Sequence, residues 1–130
     1  MSYSGQKILL VDDDPDFIEI YSTIFRETGV NFSVAKNGTE ALEKAKTEKP
    51  ALILLDLMLP NIDGFEVLKR LKQIPQTSTI PVWMMTNLAE QLNQTIATSL
   101  GATDYLVKAS VTPKQVCEKI NAYFSQAAGS

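Results

Sequence analysis

Asp12, Asp13 and Asp14 stand in a row directly after the apolar run Leu9-Leu10-Val11. A fourth aspartate, Asp56, closes the most apolar segment of the chain, ALILLD (51–56). Thr86, followed by Asn87, closes IPVWMMT (80–86), and Lys108 closes DYLVK (104–108). Carboxylates at close range repel one another, and a desolvated carboxylate is costly unless it is paired or bound to a cation. Several carboxylates with few neutralising partners therefore invite a hard divalent ion. Mg²⁺ prefers oxygen ligands, takes one or two carboxylates and keeps waters for other partners; Mn²⁺ is the alternative ion. An ammonium and a hydroxyl added to such a site would make a cradle for a phosphoryl group, with one carboxylate as nucleophile.

That chemistry requires distant parts of the chain to meet. KILLVD (7–12), ALILLD (51–56) and IPVWMMT (80–86) read as buried strands, NFSVAK (31–36) as a half-buried one and DYLVK (104–108) as a short one. Between them lie helical patterns. The first carries Phe17, Ile20, Tyr21, Ile24 and Phe25 at three- and four-residue spacing, opened by Asp14-Pro15 and closed by Gly29. Asp14 is read as this helix's cap, not as a metal ligand. Further helices are expected over 39–48, over 64–73 after the Asp63-Gly64 turn, and over 88–100, where Asn87 and Glu90 suggest a loose capping box and Gly101 a stop. The last opens at Thr112, Pro113 and Gln115 and turns Val116, Ile120 and Phe124 inward. Cys117, Met84 and Met85 read as packing residues.

Five strand–helix units without linker or repeat imply one α/β domain, a doubly wound five-stranded parallel sheet with helices on both faces. In such sheets a site forms beyond the carboxyl ends of the strands. Asp12, Asp13, Asp56, Thr86 and Lys108 all end strands, whereas Lys36-Asn37-Gly38 reads as a plain turn.

Composition narrows the classes. The net charge of -3 offers no basic footprint for nucleic acid. No apolar run reaches the roughly 18–20 residues that span a bilayer. MSYSGQK lacks the apolar core of a secretion signal, so a cytoplasmic protein is expected. The single cysteine forbids an internal disulfide, and with no histidine there is no imidazole base, metal ligand or nucleophile partner.

Taken together these motifs resemble the receiver domain of response regulators, the phosphoacceptor module of two-component signalling, in a chemotaxis-regulator-like form, either as a stand-alone regulator or as part of a longer regulator or hybrid kinase. The likeness spans about residues 6–126, with AAGS read as a plain tail. It rests on the acidic pair in LLVDDD, on Asp56 in LILLDLMLPNIDG, on Thr86 in PVWMMT, and on Tyr105 and Lys108 in GATDYLVK. The resemblance implies a flavodoxin-like strand order, 2-1-3-4-5, with five helices. It implies Mg²⁺ held by Asp13, Asp56 and the backbone carbonyl of Met58, with Asp12 acting mainly through water. Asp56 would take a phosphoryl group from the phosphohistidine of a histidine kinase or phosphotransfer protein. Thr86 would then move to the phosphoryl oxygen, and Tyr105, by itself an ordinary half-exposed strand tyrosine, would turn inward. The surface of the fourth helix, fifth strand and fifth helix would change shape for a partner, an output domain or a second copy of the chain.

Two departures from the family stand out. The lysine is usually followed by proline after a cis bond; here Ala109 follows, and a cis bond before a non-proline residue costs about 2.5–4 kcal/mol. A trans bond, or a cis bond held at that cost, and an altered loop 108–112 are expected. Asn87 stands where a small residue is usual; it could tune access or cap the next helix. Met58 and Leu88, each two residues past a site residue, are apolar and point to slow loss of the phosphoryl group.

Rival readings fit less well. A haloacid-dehalogenase-type phosphatase would use the D-x-D within Asp12–Asp14, MMTN and Lys108, but it needs a late acidic pair, and after Asp104 the chain offers only Glu118. A nucleotide- or flavin-binding module needs a glycine-rich loop after the first strand, where this chain has DDDPD. A degenerate receiver acting only as a platform would not keep all five site positions.

Overall fold

The computed structural model describes residues 6–129. Five strands, β1 (Lys7–Val11), β2 (Asn31–Ala35), β3 (Leu52–Leu55), β4 (Val82–Thr86) and β5 (Asp104–Val107), alternate with five helices. These are α1 (Pro15–Thr28), α2 (Gly38–Glu48), α3 (Gly64–Gln73), α4 (Gln91–Ser99) and α5 (Pro113–Gly129), with a 3₁₀ turn at Lys108–Ser110. The strands form one parallel sheet in the order β2-β1-β3-β4-β5. This is the doubly wound, flavodoxin-like arrangement expected.

Alternation along the strands divides the core. Ile8, Leu10, Leu52, Leu54, Trp83 and Met85 point to one face, where they pack with Phe25 of α1 and Ile120 and Phe124 of α5. Leu9, Val11, Ile53, Leu55 and Met84 point to the other, against Ala41 of α2, Leu68 of α3 and Ala97 of α4. A strand buried on both faces can be apolar at every position, and Leu52–Leu55 are all fully buried.

The ends of the elements carry local signals. The Asp14 side chain accepts from the Asp16 N–H, Gly29 takes the left-handed φ of 78°, and Asp63 accepts from the Glu66 N–H. At the start of α5, Thr112 and Gln115 form the reciprocal capping box, at 3.1 and 2.9 Å. α5 continues through Gly129, so most of the AAGS segment is helical backbone.

α4 differs from expectation. It starts at Gln91, not at 88, and no side chain caps it. Asn87 does not cap; the stretch after β4 is held as a loop because Thr86 Oγ1 accepts from the Leu88 N–H at 3.3 Å and the Tyr105 hydroxyl donates to the Leu88 carbonyl. The carboxylate of Glu90 turns to the Asn93 amide instead. α4 buries only Ala97, and Leu92 is 68% exposed.

Gly64 lets α3 start directly beneath the end of β3. A Cβ there would stand 2.4 Å from the Asp56 carbonyl oxygen and 2.6 Å from Leu57 Cα, and the Gly64 N–H donates to the Leu57 carbonyl at 2.7 Å. Gly64→Ala is expected to lower stability by roughly 1–3 kcal/mol, the usual range for overpacking against a rigid neighbour, in urea unfolding. An unchanged midpoint would show that the loop yields freely.

Candidate functional site

Register assembles the site. β1 and β3 pair with Val11 opposite Leu55, so the next residues, Asp12 and Asp56, emerge side by side. Their backbones are pinned: Asp12 N–H donates to the Ala35 carbonyl and Asp56 N–H to the Val11 carbonyl, both at 3.0 Å. β4 and β5 pair with Thr86 opposite Val107, which brings Lys108 to the same edge. Asp12, Asp56 and Thr86 are buried, and Asp13 is exposed at the rim.

Lys108 is the cation of this cluster. Its Nζ lies 2.6 Å from Asp12 Oδ2 and 3.6 Å from Asp56 Oδ2. Asp12 Oδ1 accepts from the Asp14 N–H at 2.9 Å, and Asp56 Oδ1 takes a long bond, 3.4 Å, from the Met58 N–H. Asp56 is thus the less compensated of the two buried carboxylates. Burial first, and then the charge of Asp12, push its carboxyl up to about 6; Lys108 and the Met58 amide offset only part of this.

The donor set fits a hard divalent ion. One carboxylate oxygen each from Asp12, Asp13 and Asp56 lie within 4.8 Å of one another, and an acid group raised by burial and like charge would be relieved by a cation. The three carboxylates come from two strand ends, and Asp13 among them is exposed.

The remaining expected residues also gather here. Tyr105, at mid-β5, is half-buried, and burial and then the charge of Glu90 raise its phenol. Its bond to Leu88 ties β5 to the loop that carries Thr86. Met58, Leu88, Leu57, Leu59 and Phe65 line a depression of about 510 Å³ beside Asp13. Asn87 is exposed and lines, with Lys108 and Ala109, a second depression of about 360 Å³. The Lys108–Ala109 bond is trans, and Lys108–Ser110 form a 3₁₀ turn.

One neighbour escaped the sequence reading. Phe17, counted among the core residues of α1, places its ring centroid 4.0 Å from Lys108 Nζ. The signal was its position, one helical turn beyond Asp13 at the edge where the strands end.

Comparison with known proteins identifies the family and the fold. The family model described as "Response regulator receiver domain" matches residues 8–121. The chain is 39% identical over 118 residues to the alkaline phosphatase synthesis transcriptional regulatory protein PhoP of Bacillus subtilis, covering 91% of this chain but 48% of that regulator. It thus spans about half the length of that relative. Among solved structures, the receiver domain of the Francisella response regulator 1452 superposes with a TM-score of 0.84 at 29% identity, over 95% of this chain and 99% of that one. The BeF₃-activated N-terminal receiver domain of Klebsiella pneumoniae RstA gives 0.81 at 28% identity, over 92% and 98%.

The raised Asp56 carboxyl makes a pH prediction. In the unfolded chain it titrates near its ordinary value of 3.8, and in the folded chain at about 6. Between these values the folded form holds a proton that the unfolded form has lost, so stability falls as pH rises through the window and the penalty is complete above it. In metal-free buffer at pH 7, Asp56→Asn is expected to be more stable than the parent by roughly 1–2 kcal/mol, allowing for solvent screening at the mouth of the site. Mg²⁺ is expected to raise the melting temperature of the parent at pH 7 and to lose this effect as pH falls below about 6. Thermal melts with EDTA or Mg²⁺ at both pH values check it; equal stability of the parent and Asp56→Asn at pH 7 would refute the account.

Proposed function

The chain belongs to the response regulator receiver domain family, and on that premise we propose that Asp56 is a phosphoacceptor fed by a histidine kinase or a phosphotransfer protein. The observation that carries the reading is the convergence of Asp12, Asp13, Lys108 and Thr86 on one under-compensated carboxylate at the sheet's carboxyl edge. An Asp56 oxygen would form the P–O bond as the donor's P–N bond breaks, the electron pair leaving with the donor's imidazole. Lys108 and Thr86 would hold the phosphoryl oxygens. Asp13, Asp56 and the Met58 carbonyl would hold Mg²⁺, with Asp12 acting through water. Bound there, Mg²⁺ supplies positive charge for the phosphoryl oxygens. The chain is read as one receiver domain over 1–130 with its core at 6–126, acting in the cytoplasm on nothing but its own phosphorylation and dephosphorylation.

The output side is the α4–β5–α5 surface. Support comes from α4, the helix with one buried residue and no side-chain cap, and from the Tyr105–Leu88 bond that links β5 to the Thr86 loop. Segments with few buried contacts are the ones that switch. Movement of Thr86 toward a phosphoryl group would strain that link and shift the surface toward a form that binds a partner, an output domain or a second copy. Among the described residues no helix is long and apolar enough to cross a membrane.

Incubation with Mg²⁺ and acetyl phosphate is expected to add one phosphoryl mass, absent in Asp56→Ala and without EDTA-resistant residue. No adduct, or an adduct that survives Asp56→Ala, would sink the proposal; steady phosphomonoester hydrolysis that survives Asp56→Ala but needs Asp12 would mark a phosphatase. Met58 and Leu88 offer no polar group to orient an attacking water, so the aspartyl phosphate is expected to last minutes or longer. A lifetime of only seconds would contradict their assigned effect.

A further inference from the structure

Lys108 has a long, flexible stem, and holding its ammonium in one place costs rotamer entropy. The backbone around it gives little help. Lys108–Ser110 is a single 3₁₀ turn whose closing bond, from the Val111 N–H to the Lys108 carbonyl, is 3.5 Å long, and Ala109 and Ser110 are exposed. Asp12 takes one ammonium hydrogen at 2.6 Å, while Asp56 at 3.6 Å lies beyond hydrogen-bond range. The other close group is the Phe17 ring, with its centroid 4.0 Å from Nζ. That distance is well inside the range at which a ring face attracts a cation.

Phe17 is itself held firmly. It sits in the first turn of α1, which Asp14 caps and Pro15 starts. Its ring stacks on Tyr21 at a centroid distance of 4.4 Å and an interplanar angle of 30°. Tyr21 is 3% exposed and stacks in turn, edge-on, against the fully buried Phe25. The ring face offered to Lys108 is therefore fixed by the core.

We propose that Phe17 is a positioning residue for phosphorylation of Asp56: its ring, braced by Tyr21, holds the Lys108 ammonium between Asp12 and Asp56. The inference rests on the phosphoacceptor reading above and adds the part of α1 that makes Lys108 effective. Phe17 touches no reacting atom. It substitutes a rigid side-chain surface for the backbone restraint that the loop after Lys108 lacks.

The test compares Phe17→Leu, which keeps apolar volume without a π face, with Phe17→Trp, which keeps the face; Phe17→Met replaces the leucine variant should that fail to fold. In the parent, the Lys108 ε-methylene protons, assigned by loss in Lys108→Arg, are expected upfield of ordinary lysine values because they lie over the ring. They are expected to return to ordinary values in Phe17→Leu. The rate constant for phosphorylation by acetyl phosphate is expected to fall about three- to tenfold in Phe17→Leu and to recover in Phe17→Trp, with half-saturating Mg²⁺ changed less than about twofold because the carboxylates are untouched. An unshifted parent resonance, a leucine variant as fast as the parent, or a tryptophan variant as slow as leucine would each overturn the proposal. If the parent takes no phosphoryl group at all, the phosphoacceptor reading fails, and the resonance shift still decides whether Phe17 holds Lys108.

Discussion

The structure turns on the repulsion between two buried carboxylates, Asp12 and Asp56, set side by side by the register of β1 on β3. Nothing in the packing requires either charge there; both follow buried apolar runs, Ile8–Val11 and Leu52–Leu55. Their neighbourhood is built to make the repulsion bearable, not to remove it. Lys108 is shared unequally, 2.6 Å from one and 3.6 Å from the other. Asp12 gains an amide bond of ordinary length, and Asp56 a longer one. The asymmetry separates the two: Asp12 is the better-compensated carboxylate, and Asp56 keeps the larger share of the repulsion.

That arrangement constrains the surrounding elements. α3 must start close under Asp56, which only a residue without a Cβ allows at Gly64. α1 must leave the end of β1 at once, so Asp14 and Pro15 cap and start it while Asp13 stays at the rim. The β4–α4 loop, by contrast, is held by bonds from outside the helix, to Thr86 and from Tyr105. The helix that buries least is thus tied, through Leu88, to Thr86 and Tyr105.

The doubly wound sheet and the convergence of Asp12, Asp13, Asp56, Thr86 and Lys108 were legible because each rests on a local signal, apolar strands ended by polar residues with helices between them; the strand order came only through the family resemblance. Caps built on strong side-chain acceptors, at Asp14, Asp63 and Thr112, were legible for the same reason. Asn87 and Glu90 misled, since the same residue types that cap a helix also serve loops, and tertiary bonds to Leu88 decided between them. Lys49 closes α2 in a left-handed conformation, φ 48°, with nothing in its side chain to announce it. Phe17 was visible as an apolar helix residue. Its contact with Lys108 depends on a pairing 91 positions apart that no local pattern encodes.

The placement of Lys108 shows how a fold can exchange one kind of restraint for another. A lysine near two carboxylates will find one of them unaided, and here Asp12 is the closer. The ammonium rests on that partner at 2.6 Å, with Asp56 at 3.6 Å. A ring face beside it attracts the cation without forming a directional bond, so it limits where the ammonium can go while leaving its hydrogens free for oxygen acceptors. The aromatic column Phe17, Tyr21 and Phe25 carries that restraint into the core between α1 and the sheet. The electrostatics at the sheet's edge therefore depend on hydrophobic packing of the first helix, and a substitution that loosens α1 would weaken the site without touching a charged residue.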